Sequence, residues 1–169
     1  MKRPPIGLLA LLFVLCSVPA AGSAQAAGRG QTRLSVPLGV SVPHQSGDWN
    51  PAFTWGFGVD LPLVDWFYLA PSALVYELNP EDRSGTSATD VALSYKFALT
   101  VDFVELQLGP TTGLTSSTEL DFHFGGVAAA HFGIAKNFDL TAMVVYKVIL
   151  LDEGNVNDVK ILAGPAFRF

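Results

Sequence analysis

The sequence predicts an all-β fold: a closed antiparallel up-and-down transmembrane β-barrel of about eight strands. A leader typical of secreted proteins opens the chain, apolar residues then fall mostly at every second position to the last residue, and short connections alternate with long ones. A period of two indicates strands, because successive side chains point to opposite faces. Short turns that alternate with longer loops are typical of barrels that cross a membrane.

Residues 1–26 are predicted to be a secretory signal peptide. Lys2 and Arg3 precede an apolar run from Ile6 to Val18, and small residues follow as far as Ala26. The run is short for a membrane-spanning helix, and its small-residue flank fits cleavage after Ala26. We therefore divide the chain into a signal peptide, 1–26, and a single barrel domain, 27–169.

Cleavage would remove the lone cysteine, Cys16, and two of the ten basic residues, which leaves eight basic residues against fifteen acidic ones, a net charge of −7. An exported chain without cysteine depends on burial and backbone pairing for its stability. The acidic balance argues against a nucleic-acid partner. Cys16 also leaves a lipoprotein leader open, although Leu15 stands where such leaders carry a small residue.

Four strands are predicted in the first half of the barrel domain. Every second residue is apolar in 34–42, 53–61 and 91–99, and the residues between them are mainly small or polar. A further strand runs from about Trp66 to Tyr76. Both of its rows are apolar, so its facing stays open.

Four more strands are predicted in the second half. Alternation is clear in 104–108, 120–134 and 157–169, where the last strand ends on Phe167 and Phe169. The strand 139–151 is apolar on both rows, but the row from Leu140 to Val148 opposes Lys147, so we assign that row outward.

The connections are predicted from their turn residues. Long loops are expected at Pro43–Pro51, Asn79–Thr89, Thr111–Glu119 and Asp152–Val156, and short turns at Pro62–Asp65, Thr100–Asp102 and Ala135–Phe138. Pro37, Pro71, Pro110 and Pro165 conflict with a closed ladder because each lacks an N–H donor. Bulges are one way to accommodate them.

Alternation alone does not say which face meets water, because a soluble lipocalin-like ligand-binding barrel turns its apolar face inward. Composition favours the membrane interpretation. The polar rows hold mainly Gly, Ser, Ala and Thr with isolated charges, which suits a narrow polar interior, whereas a soluble barrel needs a charged exterior. Aromatic residues near the strand ends also suit the girdles of a membrane barrel.

The chain resembles the small eight-stranded outer-membrane proteins of the OmpA-like and OmpX-like kind. The resemblance rests on the leader, the alternating strands, the loop asymmetry and the Phe167-Arg168-Phe169 ending. It implies a place in the bacterial outer membrane, contact with outer-membrane lipid, and a C-terminal signal, Phe167 and Phe169, that the barrel-assembly machinery reads. It implies a structural role or loop-mediated interactions with an unidentified partner, and no cofactor.

Charged residues on the predicted inner rows form a candidate polar network in the lumen: Arg33, Asp60, Lys96, Glu105, Asp121, Lys147 and Lys160. One hypothesis is a proton or ion path. The other, which we favour at this strand number, is a structural network that satisfies charges in a barrel too narrow to conduct.

No catalytic or metal motif stands out. His123 and His131 share a face but lie roughly 27 Å apart along an extended strand, too far to bind one metal ion. His44, Ser46 and Asp48 share a predicted loop. Because some eight-stranded barrels are lipid A-modifying enzymes that use such residues, this alternative stays open, although loops are rich in Ser and Asp anyway.

Overall fold

The computed structural model describes residues 30–45, 48–49, 51–77, 87–117, 119–151 and 154–169. The predicted signal peptide and its cleavage position lie outside these residues. The described chain contains ten strands: β1 (Arg33–Ser35), β2 (Leu38–Gln45), β3 (Asp48–Trp49), β4 (Ala52–Val64), β5 (Phe67–Glu77), β6 (Ser87–Val101), β7 (Val104–Ser116), β8 (Leu120–Ala135), β9 (Phe138–Leu151) and β10 (Gly154–Arg168). Within the same residues, no helix is long and apolar enough to span a membrane.

The strands form one antiparallel ring in which each long strand pairs with the next in sequence. The ring closes where β10 pairs with β1 and β2, for example Leu34 with Phe167 and Val40 with Ile161. A closed antiparallel ring leaves no exposed sheet edge and satisfies the backbone internally, as lipid requires. The expected up-and-down barrel is confirmed.

Ten strands make a barrel of eight because β1 and β2 together occupy one position in the ring and the two-residue β3 adds no position. Both pair with β10 on one side and with β4 on the other. Val36 and Pro37 separate them. The two-residue β3 pairs with the end of β2.

The two ends of the barrel differ in the length of their connections. Two-residue turns at 65–66, 102–103 and 136–137 lie at one end, which we call the turn end, together with residues 30–32 and Phe169. The strand ends that flank the connections 46–51, 78–86, 117–119 and 152–153 lie at the other, the loop end. Long and short connections alternate as the sequence predicts, but the strands extend further into the predicted loops than expected.

Several predicted boundaries were wrong. Residues 111–116 belong to β7 rather than to a loop, and β6 begins at Ser87, inside the predicted Asn79–Thr89 loop. β4 continues through Pro62 to Val64, so the turn moves to Asp65–Trp66. The turn residues that suggested loops are overridden by pairing with the neighbouring strand, since Thr111 to Ser116 pair continuously with β8.

Around the ring, the exposed large side chains of the outer face are mainly apolar, whereas the buried inner face holds many polar and charged side chains together with some apolar ones. On β7, Leu106 is 48 % exposed whereas Gln107 is 2 % exposed, and on β9 the row of Leu140, Val144 and Tyr146 is exposed as predicted. This arrangement is the reverse of a lipocalin, so the soluble-barrel alternative is wrong. On β5, whose facing the sequence left open, Tyr68, Leu74 and Tyr76 point inward and are buried.

The four prolines are accommodated without bulges. The described ladders shift register at Pro62–Val64 and Gly133–Ala135, not at these prolines. Pro71 pairs with Leu93 of β6, while the β4–β5 ladder passes over it with its register unchanged. At Pro71 the missing donor therefore interrupts the ladder with β4 but not the ladder with β6.

Pro37 and Pro165 lack a backbone donor, but their carbonyl groups still take part in the sheet. Val36 N donates to Pro165 O (3.0 Å), and Gly56 N donates to Pro37 O (3.1 Å). The two prolines thus still accept hydrogen bonds from neighbouring strands, and the sheet continues across the gap between β1 and β2.

Candidate functional site: two charged clusters in the lumen

Four charged side chains meet in the half of the lumen nearer the loop end. Lys147 of β9 contacts Asp90 of β6, while Lys160 and Asp158, both of β10, lie 2.5 Å apart (Nζ to Oδ2). Lys160 also lies 3.4 Å from Asp90, and Lys147 lies 3.5 Å from Asp158. We call these four residues the loop-side cluster. Two lysines and two aspartates make it formally neutral.

Neutral side chains complete the hydrogen bonding of the loop-side cluster. Ser41 Oγ donates to Asp158 Oδ1 (2.6 Å), and Thr115 Oγ1 donates to Asp90 Oδ1 (2.7 Å). Tyr76 OH donates to Asp90 Oδ1 (3.1 Å) and accepts from Lys147. Its ring lies 3.2 Å from Lys160 Nζ, a cation–π contact that is stronger in a site removed from water.

A second group of charged residues, the turn-side cluster, lies nearer the turn end: Arg33, Asp60, Lys96, Glu105 and Asp139. Arg33 donates to Glu105 Oε1 through Nη1 (2.9 Å) and to Asp139 Oδ2 through Nε (2.9 Å). Lys96 Nζ donates to Asp60 Oδ1 (2.7 Å), and Asp60 Oδ2 lies 3.5 Å from Arg33. Glu105 also accepts from Gln107 Nε2 and Tyr68 OH.

Asp139 links the strands that close the ring. Its carboxylate contacts Arg33 of β1 through Oδ2 and Arg168 of β10 through Oδ1, 3.1 Å from Arg168 Nε. Arg33 and Arg168 are direct cross-strand partners, so without Asp139 two cations would face each other. With Arg168 included, three cations balance three carboxylates around the turn-side cluster.

The predicted lumen residues are divided between these clusters. Arg33, Asp60, Lys96 and Glu105 lie in the turn-side cluster, and Lys147 and Lys160 lie in the loop-side cluster. Asp121 lies half-buried near the loop end of β8 and belongs to neither. The structure brings in three carboxylates that the prediction omitted: Asp90, Asp139 and Asp158.

A signal for those carboxylates was present in the sequence. Each lies an even number of residues from a predicted inward cation or polar residue of its own strand: Asp90 from Lys96, Asp139 from Lys147, and Asp158 from Lys160. The predicted set held four cations and three carboxylates, and a buried lumen of that composition needs at least one further carboxylate for neutrality.

The two histidines belong to separate parts of the lumen. His123 Nδ1 lies 2.9 Å from Thr115 Oγ1, and His131 Nδ1 lies 2.8 Å from Thr141 Oγ1. In the part of the chain that the structure describes, no group of acidic and histidine side chains could hold a metal ion. Of the suggested His44, Ser46 and Asp48 set, Ser46 and the side chain of Asp48 lie outside what the structure describes.

The C-terminal aromatic residues lie on the outer surface of the turn end. Phe167 is half exposed, and its ring centroid lies 5.4 Å from that of Phe138 in a T-shaped contact. Phe169 is 74 % exposed, and its backbone N donates to Thr32 O (2.9 Å). Their role as an assembly signal stays a prediction.

Three solved structures of bacterial proteins resemble the chain in fold. The Neisserial surface protein A, NspA, superposes with a TM-score of 0.71 at 15 % identity, over 82 % of this chain and 97 % of that one. Ail, the attachment invasion locus protein of Yersinia pestis, gives 0.59 at 18 % identity, over 84 % and 100 %. The N-terminal β-barrel domain of Pseudomonas aeruginosa OprF gives 0.50 at 15 % identity, over 83 % and 100 %.

No family model matches the chain, and no curated protein matches it in sequence. The structural similarity, at these identities, concerns the fold. It agrees with the apolar exterior, the paired polar interior and the ring closure described above. The chain therefore has the fold of the small eight-stranded outer-membrane β-barrels.

Proposed function

We propose that the chain is a non-enzymatic protein of the bacterial outer membrane that supports the membrane as a closed barrel and presents its loops to partners. The proposal rests on the lumen, which paired charged side chains occupy. Lys147, Lys160, Asp158 and Asp139 are at most 2 % exposed, and each is held by an oppositely charged side chain. Such a lumen is a packed interior rather than a passage for ions.

The charge of the loop end supports a role for the loops. The connections 46–51, 78–86, 117–119 and 152–153 contain six acidic residues and one basic residue, Arg83. Because like charges keep loops solvated and steer oppositely charged molecules, this composition favours partners that present cationic groups. We expect cells that display the protein to retain fluorescent polylysine at low salt, and to retain less when Glu81 and Asp82 are replaced by Gln and Asn. Asp65→Asn, at the turn end, serves as the control.

Single-channel recording tests the closed lumen. Purified protein inserted into planar bilayers should give no stable open-channel current, whereas a general porin inserted in the same way gives steps of defined size. Reproducible current steps from the folded protein would contradict a purely structural lumen and favour the ion-path hypothesis.

Mass spectrometry of lipid A tests the enzymatic alternative. Cells with and without the protein should show the same acylation and headgroup pattern. A difference that disappears in a His44→Ala variant would instead support a lipid A-modifying enzyme.

A further inference from the structure

The outer surface of the barrel contains a groove whose floor is formed by alanines. Leu106 of β7, Ala130 of β8, Ala142 of β9, Ala163 of β10 and Leu38 of β2 are cross-strand partners in turn, so they form one row across five strands. The row faces outward, since Leu106 is 48 % exposed and Leu38 is 46 % exposed. Its three middle members are small. We call Ala130, Ala142 and Ala163 the alanine groove.

Larger apolar side chains flank the alanine groove on both sides. Phe132, Leu140 and Pro165 form the next outward row toward the turn end, and Val144 and Ile161 belong to the next row toward the loop end. Leu140 and Ile161 are 48 % and 61 % exposed, so they stand above the alanines. The groove has a volume of about 570 Å³. Hydrocarbon that fills such a trough gains van der Waals contacts on three sides.

The alanine groove is continuous with the lipid-facing surface, and its direction fits a single chain better than a second barrel. The row follows the hydrogen bonds, which run perpendicular to the strands, and the strands tilt by roughly 35–45° from the membrane normal. In a two-fold symmetric dimer the two facing grooves would therefore cross at roughly 70–90°, twice the tilt. The ridges beside one groove could then not lie along the other. An acyl chain can follow the groove over its whole length.

The alanine groove approaches the turn end beside a cationic turn. Leu106 lies two residues from the start of β7, whereas Ala163 lies five residues from the end of β10, so the row is nearest to the turn end on its β7 side. Lys136, in the turn after β8, is exposed and lies six residues beyond Ala130. Six residues of a tilted strand span roughly 15 Å along the membrane normal, about the depth of one hydrocarbon leaflet.

The charge of this turn favours an anionic headgroup. Lys136 is followed by Asn137, whereas the other two-residue turns of the described chain each contain an aspartate instead of a lysine. Short turns of outer-membrane barrels lie on the periplasmic side, so Lys136 lies at the headgroup level of the inner leaflet. A basic side chain at that level attracts anionic lipid headgroups.

We propose that the alanine groove binds one acyl chain of a phospholipid of the inner leaflet, whose anionic headgroup lies beside Lys136. The chain enters the groove on its β7 side and follows the row toward β10, near the middle of the bilayer. The inference rests on the position of the barrel in the membrane and does not depend on what the loops bind.

Native mass spectrometry of the detergent-purified protein, mixed with phosphatidylglycerol, tests the proposal. Wild type should retain one phosphatidylglycerol per barrel, whereas Ala142→Phe, which fills the middle of the groove with an apolar side chain, should retain several-fold less. Lys136→Met should lower the retention of phosphatidylglycerol more than that of phosphatidylcholine, whose headgroup carries no net charge.

Ala73→Phe is the matched control. Ala73 also lies on an outward row, but its cross-strand partners are the large residues Phe57 and Val91, outside the groove. This variant should retain the lipid as wild type does. Equal loss in both phenylalanine variants, or no retention by wild type, would overturn the proposal. A wild-type dimer that Ala142→Phe abolishes would place a second copy in the groove and would overturn it as well. A different migration of unheated and boiled samples on a gel checks folding.

A measurement on the wild type stands even where Ala142→Phe does not fold. The barrel is reconstituted with phosphatidylglycerol that bears a photoactivatable diazirine in the distal half of one acyl chain, and the adducts are mapped by mass spectrometry. Adducts should concentrate at Ala130, Ala142 and Ala163. An even distribution of adducts over the outward rows of all strands would contradict a bound chain.

Discussion

At the scale of single residues, the buried lysines are the most consequential side chains of the interior. Lys147 and Lys160 are at most 1 % exposed, and each contacts two aspartates. Removing an ammonium group from water costs several kcal/mol, and only close carboxylates and further hydrogen bonds offset that cost. Because the charges of the loop-side cluster stabilise one another, the loss of one member leaves a buried charge without its partner and lowers the free energy of unfolding.

We expect Lys147→Met to lower the free energy of unfolding by about 3–5 kcal/mol, because it leaves Asp90 and Asp158 with one lysine between them. Urea titration of the protein in lipid vesicles, followed by tryptophan fluorescence, measures the change. Lys136→Met removes an exposed lysine from a turn and should change stability by less than about 0.5 kcal/mol. Equal effects of the two substitutions would show that the loop-side cluster contributes no net pairing energy.

Two adjacent glycines offer a second comparison. A methyl group at Gly125, on the inward row, would lie 1.9 Å from Tyr146 O and 2.7 Å from Lys147 Cα, whereas at Gly126 its nearest neighbour would be Gly109 O at 3.7 Å. Gly125→Ala should therefore destabilise the barrel by about 1–3 kcal/mol, as overpacking does. Gly126→Ala should be neutral within about 0.5 kcal/mol. The same urea titration measures both changes in the free energy of unfolding. An equally small effect of Gly125→Ala would mean that β8 and β9 lie further apart.

At the scale of the strand, alternation sorts neighbouring residues into lipid and lumen. On β10, Ile161 is 61 % exposed and Leu162 is 2 % exposed, although both are apolar and similar in size. Their opposite surroundings follow from the pleat, since adjacent Cβ atoms point to opposite faces. A shift of one residue in register would exchange them along the whole strand.

Ile161→Arg should cost about 2–4 kcal/mol, because Ile161 lies near the middle of β10 and a charge would enter the centre of the bilayer. Ile161→Met, which keeps an apolar side chain in lipid, should be close to wild type. Refolding titrations into vesicles measure both. Should arginine be tolerated as well as methionine, this part of β10 would not face hydrocarbon.

At the scale of the whole molecule, the ring closes where the last strand meets the first. Three features meet at this seam: the β1–β10 pairing, Asp139 between two arginines, and the exposed C-terminal aromatic residues. Phe169 contributes little packing, because three quarters of its surface is exposed. An effect of its removal on assembly in cells would therefore be separable from an effect on stability.

Deletion of Phe169 should reduce the amount of folded barrel in the outer membrane while export across the inner membrane and stability in vesicles remain near wild type. Heat-dependent gel migration of membrane fractions measures the folded amount. Phe103→Ala is the control, since Phe103 is 68 % exposed at the same end but is not terminal. Unchanged levels of the deletion variant would contradict an assembly signal.

The fold class and, for most strands, the facing can be read from the order of the residues alone. Both follow from a property of the backbone that acts over two residues, so a row such as Leu34 to Val42 reveals its strand without knowledge of any neighbour. The inner rows were likewise visible as small residues with isolated charges. The ends of the strands were not, because Thr111 to Ser116 become strand through pairing with β8 rather than through their own preference.

The pairing of the interior charges, by contrast, depends on the three-dimensional arrangement of the strands. Arg33 meets Asp139 across 106 residues and Ser41 meets Lys160 across 119, which requires the register of every strand and the closure of the ring. The facing of β5 also depends on ring closure, because its two apolar rows give no local preference for lipid or lumen. In the closed ring, Tyr68 and Tyr76 point toward carboxylates inside. A hydroxyl that finds a buried partner is satisfied there and would be unsatisfied in lipid, and that difference is the physical reason for the facing.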